Sequence, residues 1–170
     1  MRKLFFIQYA TMLVLAFVSG VACYQLFDLA QITQVITWGD RRLLLLEHAK
    51  SPLWSVLPLA IAIFFVLFFS THRYLTLIAP VFIALKITFF GFSSVFLLVQ
   101  HESVKLYGLW WFPFQLFYSI LLIVLYHVSV RSAPQKLGQK MLSKKRITVV
   151  LVLFSILVSI EYIVVSMMIK

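Results

Sequence analysis

Residues 77–100 read LIAPVFIALKITFFGFSSVFLLVQ, and Lys86 is the one charge among them. At 1.5 Å per residue a helix over this stretch reaches roughly 36 Å, enough to cross a hydrocarbon core of about 30 Å. Pro80 falls in its first turn, where a missing amide donor costs little. Four other runs have the same character: 4–26, 53–71, 109–130 and 147–168. The fourth span begins near Trp110 and Trp111, with Pro113 again close to its N-terminal end. The expected fold is all-α: a single polytopic membrane helix bundle over residues 1–170, with five spans. Residues 27–52 are too polar to cross. Their half from Asp40 to Lys50 predicts a short interfacial helix resting on Leu43, Leu44, Leu45 and Leu46.

Composition agrees with that expectation. The chain of 170 residues is 63% hydrophobic and 12% charged, with a mean hydropathy of +1.03. Soluble domains are roughly 45–50% apolar and about 25% charged. A soluble globule of this size would carry very large exposed apolar patches, which excludes a soluble enzyme, a disulfide scaffold and a disordered tail. The net charge is +10, but the bases lie between hydrophobic segments. They therefore point to anionic lipid and topology, not to nucleic acid. Cys23 is the single cysteine, so an internal disulfide is impossible.

Lysine and arginine set the expected orientation. One side of the five-span arrangement carries Arg2, Lys3, Arg73, Arg131, Lys136, Lys140, Lys144, Lys145 and Arg146. The other carries Arg41, Arg42, Lys50, Lys105 and Lys170. The richer side is expected in the cytoplasm, which puts the N-terminus inside and the C-terminus outside a cell membrane. Trp38, Trp54, Trp110 and Trp111 then fall on or beside the outer loops, as an interfacial belt would place them. Asp28, Asp40, Glu47 and Glu102 fall on that side too. Arg2-Lys3 and the apolar run after it read as the first membrane helix. Ala16, Gly20 and Cys23 give that helix a small-residue face suited to close packing.

Few residues offer chemistry. Glu47-His48 and His101-Glu102 are zinc-compatible ligand types on the outer loops, yet Lys105 stands where a zincin helix needs its second histidine. They read as two polar loops at a membrane surface, with no metal and no cofactor expected. Inside the membrane, Lys86 and Glu161 are the ionisable residues, and a Lys86–Glu161 ion pair between the third and fifth spans is expected. A proton or substrate relay is the functional alternative. Gln115, Ser119, Tyr126 and Ser129 share one face of the fourth span, and Ser155, Ser159, Tyr162 and Ser166 share one stripe of the fifth. Such seams predict hydrogen bonds between packed helices, or a polar lining for a peptide path. The chain has no Gly-rich phosphate loop and no G-x-S-x-G elbow.

The order of parts resembles the stage II sporulation protein M family. Ala79-Pro80-Val81 leads through Lys86 to Gly91-Phe92-Ser93-Ser94, and then comes Trp111-Phe112-Pro113-Phe114-Gln115. Pro113 matches the family's Pro-His-Gly signature, while Phe114 and Gln115 replace its histidine and glycine and no glutamate follows. The resemblance implies a partner-dependent, non-enzymatic bacterial membrane protein. Family members look like scaffolds for cell-wall hydrolases in sporulation; short ones accompany circular bacteriocins beside an ATP-binding protein. The leading expectation is a subunit assisting maturation or export of a peptide such as a bacteriocin, with the basic stretch 131–146 docking an ATP-binding subunit or binding lipid. The alternatives are a membrane scaffold for a wall enzyme, contacted through 27–52, and a membrane-embedded peptide-processing enzyme built on Glu47, His48, His101 and Glu102.

Overall fold

The computed structural model describes residues 2–44, 52–71, 74–100, 104–130 and 137–168; of residues 2–9, 41, 52–55, 71, 137–144 and 168 it describes the backbone alone. The described residues are helical nearly throughout and include no strand. The helices are α1 (Arg2–Leu26), α2 (Leu29–Gly39), α3 (Pro52–Thr71), α4 (Ala79–Gln100), α5 (Val104–Leu106), α6 (Phe112–Val130) and α7 (Leu137–Met168). A 3-10 turn, Arg41–Leu43, follows α2, and a π-helical turn, Tyr107–Trp111, joins α5 to α6.

Among the described residues three stretches are long and apolar enough to cross a membrane: Ala79–Gln100, Val104–Val130 and Lys145–Met167. Shorter apolar helical stretches run over Ala10–Leu26 and Val56–Ser70. The helix through Trp110 starts earlier than expected, at Val104, because the π turn carries it up to Pro113. There the Phe112 amide bonds to the Tyr107 carbonyl, five residues back. That wider turn absorbs the donor that Pro113 lacks without breaking the helix.

Helix α4 sits at the centre. Phe90, Gly91, Phe92, Ser93 and Ser94 are buried in succession, which a helix achieves only when neighbours surround it. Helix α1 covers one side. A methyl group on Gly20 would collide with the Thr88 carbonyl, and one on Gly91 with the Phe17 carbonyl. The two glycines thus let the backbones touch, and the expected small-residue face of α1 is the packing face. Phe17 meets Phe90 edge-on, with ring centroids 5.2 Å apart. On the other side α4 meets α3 and α6, where Phe65 and Phe69 stack on Phe82 at 4.8 and 5.1 Å. Ser93 and Ser94 satisfy their hydroxyls on the Phe89 and Phe90 carbonyls of their own helix.

Residues 27–44 depart most from expectation. A helix, α2, occupies the first half of the 27–52 segment, and Arg41–Leu43 form a 3-10 turn after it. Asp28 starts α2, and its amide donates to Gln31 Oε1 at 3.2 Å, as in a capping box. Ile32 and Ile36 turn inward and Leu43 is fully buried, so the leucine expected to rest on a lipid surface is core. Residues 45–50, the remainder of the expected interfacial helix, lie outside the described residues. The chain does not stay at the end of the bundle. Phe27 lies beside Phe92, and Gly39 lies against the Phe89 ring. Phe89 is roughly 16 Å along α4 from Gln100, so α2 reaches back down the bundle.

Candidate functional site

The reach of α2 positions a buried charge cluster. Asp40 ends the helix, its amide bonded to the Ile36 carbonyl at 2.8 Å. Its carboxylate accepts the Arg42 amide at 3.1 Å, a short side-chain-to-backbone loop that fixes the turn. The Arg42 guanidinium then grips the same carboxylate: Nε lies 2.9 Å from Oδ1, and Nη2 lies 2.6 Å from Oδ2. Its remaining arm, Nη1, meets Glu161 Oε1 of α7 at 2.7 Å. Trp110 Nε1 donates to that same oxygen at 2.9 Å, and the Tyr118 hydroxyl donates to Oε2 at 2.6 Å. The Arg42 guanidinium carbon also sits 5.5 Å from the Trp110 ring centroid, within cation–π range.

Asp40 and Glu161 are 3% and 4% exposed, so only this pairing makes their charges tolerable. Burial pulls the Arg42 pKa down, but the Asp40 and Glu161 carboxylates outweigh it, and the net shift is upward. Arg42 is therefore a permanent cation bridging the 40–42 turn to α7. The arrangement is a clamp: a fork-shaped cation between two carboxylates, closed by an indole and a phenol.

The expected Lys86–Glu161 ion pair is not formed. Arg42 occupies Glu161, and Lys86 has no hydrogen bond or ion pair with a described residue. Its ammonium lies 5.5 Å from the Phe89 ring centroid, within the electrostatic reach of Asp40, Arg42 and Glu161. Lys86 faces a cleft of about 550 Å³ between α2, α3 and α4.

The two polar seams do not meet. On α6, Gln115, Ser119 and Ser129 are buried, and the Tyr126 hydroxyl donates to the Thr76 carbonyl at 3.4 Å. On α7, Ser155, Ser159, Tyr162 and Ser166 are exposed, and Ser155 and Ser159 bond back to Leu151 and Ser155 carbonyls. The reason is rotational. Helix α7 turns Val150, Phe154 and Glu161 inward, and the serine stripe sits about 130° around from them. Gln115 Oε1, Ser129 Oγ, Ser70 Oγ and Trp111 Nε1 are buried without a partner among the described residues.

The tryptophans expected to form a belt differ in burial, and the Trp54 side chain lies outside the described residues. Trp38 is 83% exposed, but Trp110 and Trp111 are core residues, 2% and 0% exposed. Trp110 is held there by Glu161. The basic stretch is also less of a loop than expected, because α7 begins at Leu137. Lys140 and Lys144 belong to its backbone, and Lys145 and Arg146 are exposed side chains on it. Arg131 and Lys136 lie outside the described residues, as do Glu47, His48, His101 and Glu102. Among the described residues no three metal-ligating side chains converge.

The geometry defines a class: an all-helical chain with three membrane-length apolar helices and a clamped segment packed on them. Compared with protein-family models, with curated proteins and with solved structures, the chain shows no match.

Proposed function

We propose that this chain is a multi-pass, non-enzymatic membrane subunit that works by holding a protein partner on its clamped segment. The carrying observation is the Asp40–Arg42–Glu161 clamp. It fixes an amphipathic α2 with Ile32 and Ile36 inward and Ala30, Thr33, Gln34 and Trp38 outward. A fixed polar face with an exposed indole suits recognition, because little ordering entropy is lost on binding. Helices α1 and α3, of 25 and 20 residues, are long enough to serve as the remaining two of five spans. The positive-inside count then puts the N-terminus in the cytoplasm and α2 on the outer side.

Two partner classes follow from the resemblance to stage II sporulation protein M. The clamped outer face favours the scaffold reading, in which the partner is a cell-wall enzyme. The exposed Lys145 and Arg146 at the cytoplasmic start of the α7 span favour the export reading, in which an acidic patch of an ATP-binding subunit docks there during peptide maturation. Affinity purification in mild detergent, with co-purifying proteins identified by mass spectrometry, separates them. A wall hydrolase lost on Thr33→Arg supports the scaffold. An ATP-binding protein lost on Lys145→Gln with Arg146→Gln supports export. Recovery of the folded chain alone would overturn both.

A further inference from the structure

The cleft beside Lys86 has a composition that the clamp does not explain. Ile61, Phe65, Phe82, Leu85 and Phe89 make its walls, Gln34 and Trp38 stand at its α2 edge, and Lys86 is the one charged side chain that the described residues bring to it. Its volume, about 550 Å³, falls in the range of small-ligand sites, roughly 300–1,000 Å³. The Lys86 ammonium has three donors, and no described residue accepts from them. Asp40 and Glu161 are spoken for by Arg42, Trp110 and Tyr118. Among the described residues none is left to accept from Lys86, so an occupant of the cleft can supply the acceptor.

We propose that this cleft binds one phospholipid, its headgroup phosphate accepting from Lys86 and an acyl chain lying along Phe65, Phe82 and Leu85. Three observations fix the occupant's chemistry. The apolar walls require a chain. The ammonium, with no hydrogen-bond acceptor among the described residues, suits an oxygen anion. The exposed Trp38 indole and Gln34 amide at its α2 edge offer a hydrogen-bonding rim beside that ammonium. In a membrane, phospholipid is the molecule that combines all three. The proposal rests on the membrane reading, which recovery of the chain in the membrane fraction tests separately.

Native mass spectrometry of the delipidated full-length protein tests it, using phosphatidylglycerol and a diacylglycerol with the same chains. The parent protein is expected to retain phosphatidylglycerol in preference to diacylglycerol. Lys86→Gln should weaken that retention by about fivefold, the usual effect of one base near a lipid surface, and Lys86→Arg should restore it. Ala62→Trp, which fills the cleft while leaving Lys86 in place, should reduce retention as well. Equal retention of the two lipids, or unchanged retention in Lys86→Gln, would overturn the proposal. So would equal binding of glycerol phosphate, which shares the phosphate and lacks the chains.

Discussion

Arg42 and Glu161 stand 119 positions apart in the sequence and are joined by a 2.7 Å ion pair beneath the surface of the bundle. Through that pair the 40–42 turn, and with it α2, is fastened to the last helix. Removing the cation while leaving both carboxylates buried is the most damaging single change available, because breaking a buried pair costs about 3–5 kcal/mol. Arg42→Gln is expected to lower stability by that order in thermal unfolding of the detergent-solubilised protein. Arg42→Lys should recover only part of it, since an ammonium cannot reproduce the fork that spans Asp40 and Glu161.

Tyr118 contributes through a single hydroxyl. Its bond to Glu161 Oε2, at 2.6 Å, is charge-assisted and buried. Tyr118→Phe deletes the donor and keeps the ring that stacks on Phe154 at 6.3 Å. The expected loss is about 1.5–3 kcal/mol by the same unfolding measurement. In an Arg42→Gln background the loss should differ from this value, because the two donors share one carboxylate.

Gly20 and Gly91 predict a steric response. Adding one methyl group at either position drives it into backbone of the facing helix, and backbone cannot move aside as a flexible side chain does. Gly20→Ala and Gly91→Ala should each destabilise by about 2 kcal/mol or more, in line with overpacking of a tight core. Gly108→Ala is the control. Nothing lies within 4 Å of its added methyl group, so stability should change by no more than about 0.5 kcal/mol.

The α7 stripe should be silent in folding. Ser155, Ser159 and Tyr162 face outward, and both serine hydroxyls are satisfied within their own helix. Ser155→Ala, Ser159→Ala and Tyr162→Phe are each expected to shift stability by less than about 0.5 kcal/mol. A large loss in any of them would return the stripe to the interior seam that spacing alone predicts.

The contrast between that stripe and the clamp shows where the sequence is informative. Long apolar runs reveal membrane-length helices because the bilayer tolerates little else, and the stretch from Ala79 to Gln100 is plain from hydropathy alone. The small residues of α1 also mark a true contact. Which face of α7 looks inward is not legible, because Val, Ile and Leu surround that helix and its polar markers, Glu161 and the serine stripe, lie on different faces. Lys86 is the natural partner for Glu161 when Arg42 is assigned to a surface loop. Asp40 and Arg42 read as separate charges on an outer loop, and nothing local says that α2 carries them down the bundle. Trp110 misleads for a related reason: its position near a helix end suits an interfacial belt, while its indole N–H is committed to Glu161.

The pH behaviour of the clamp follows from Arg42. Its folded pKa is raised above the ordinary guanidinium value, so its contribution is fully present below that value and lost only as pH rises beyond it. Titration of Arg42 should therefore contribute no change in stability between pH 6 and about 10. A comparison of unfolding curves for the parent and Arg42→Gln across that interval isolates the effect: loss of the parent's advantage as pH rises toward 10 would contradict a guanidinium held in its charged form.

The central claim is that the clamped α2 face holds a protein partner, and photo-crosslinking in intact membranes tests it most directly. A photoreactive residue in place of Thr33, which is exposed on α2, should trap one discrete protein. The same probe combined with Arg42→Gln should lose that adduct, at matched amounts of inserted chain, because the face is no longer held. Failure to trap a discrete adduct in the parent background, or an identical adduct with and without Arg42, would contradict the account.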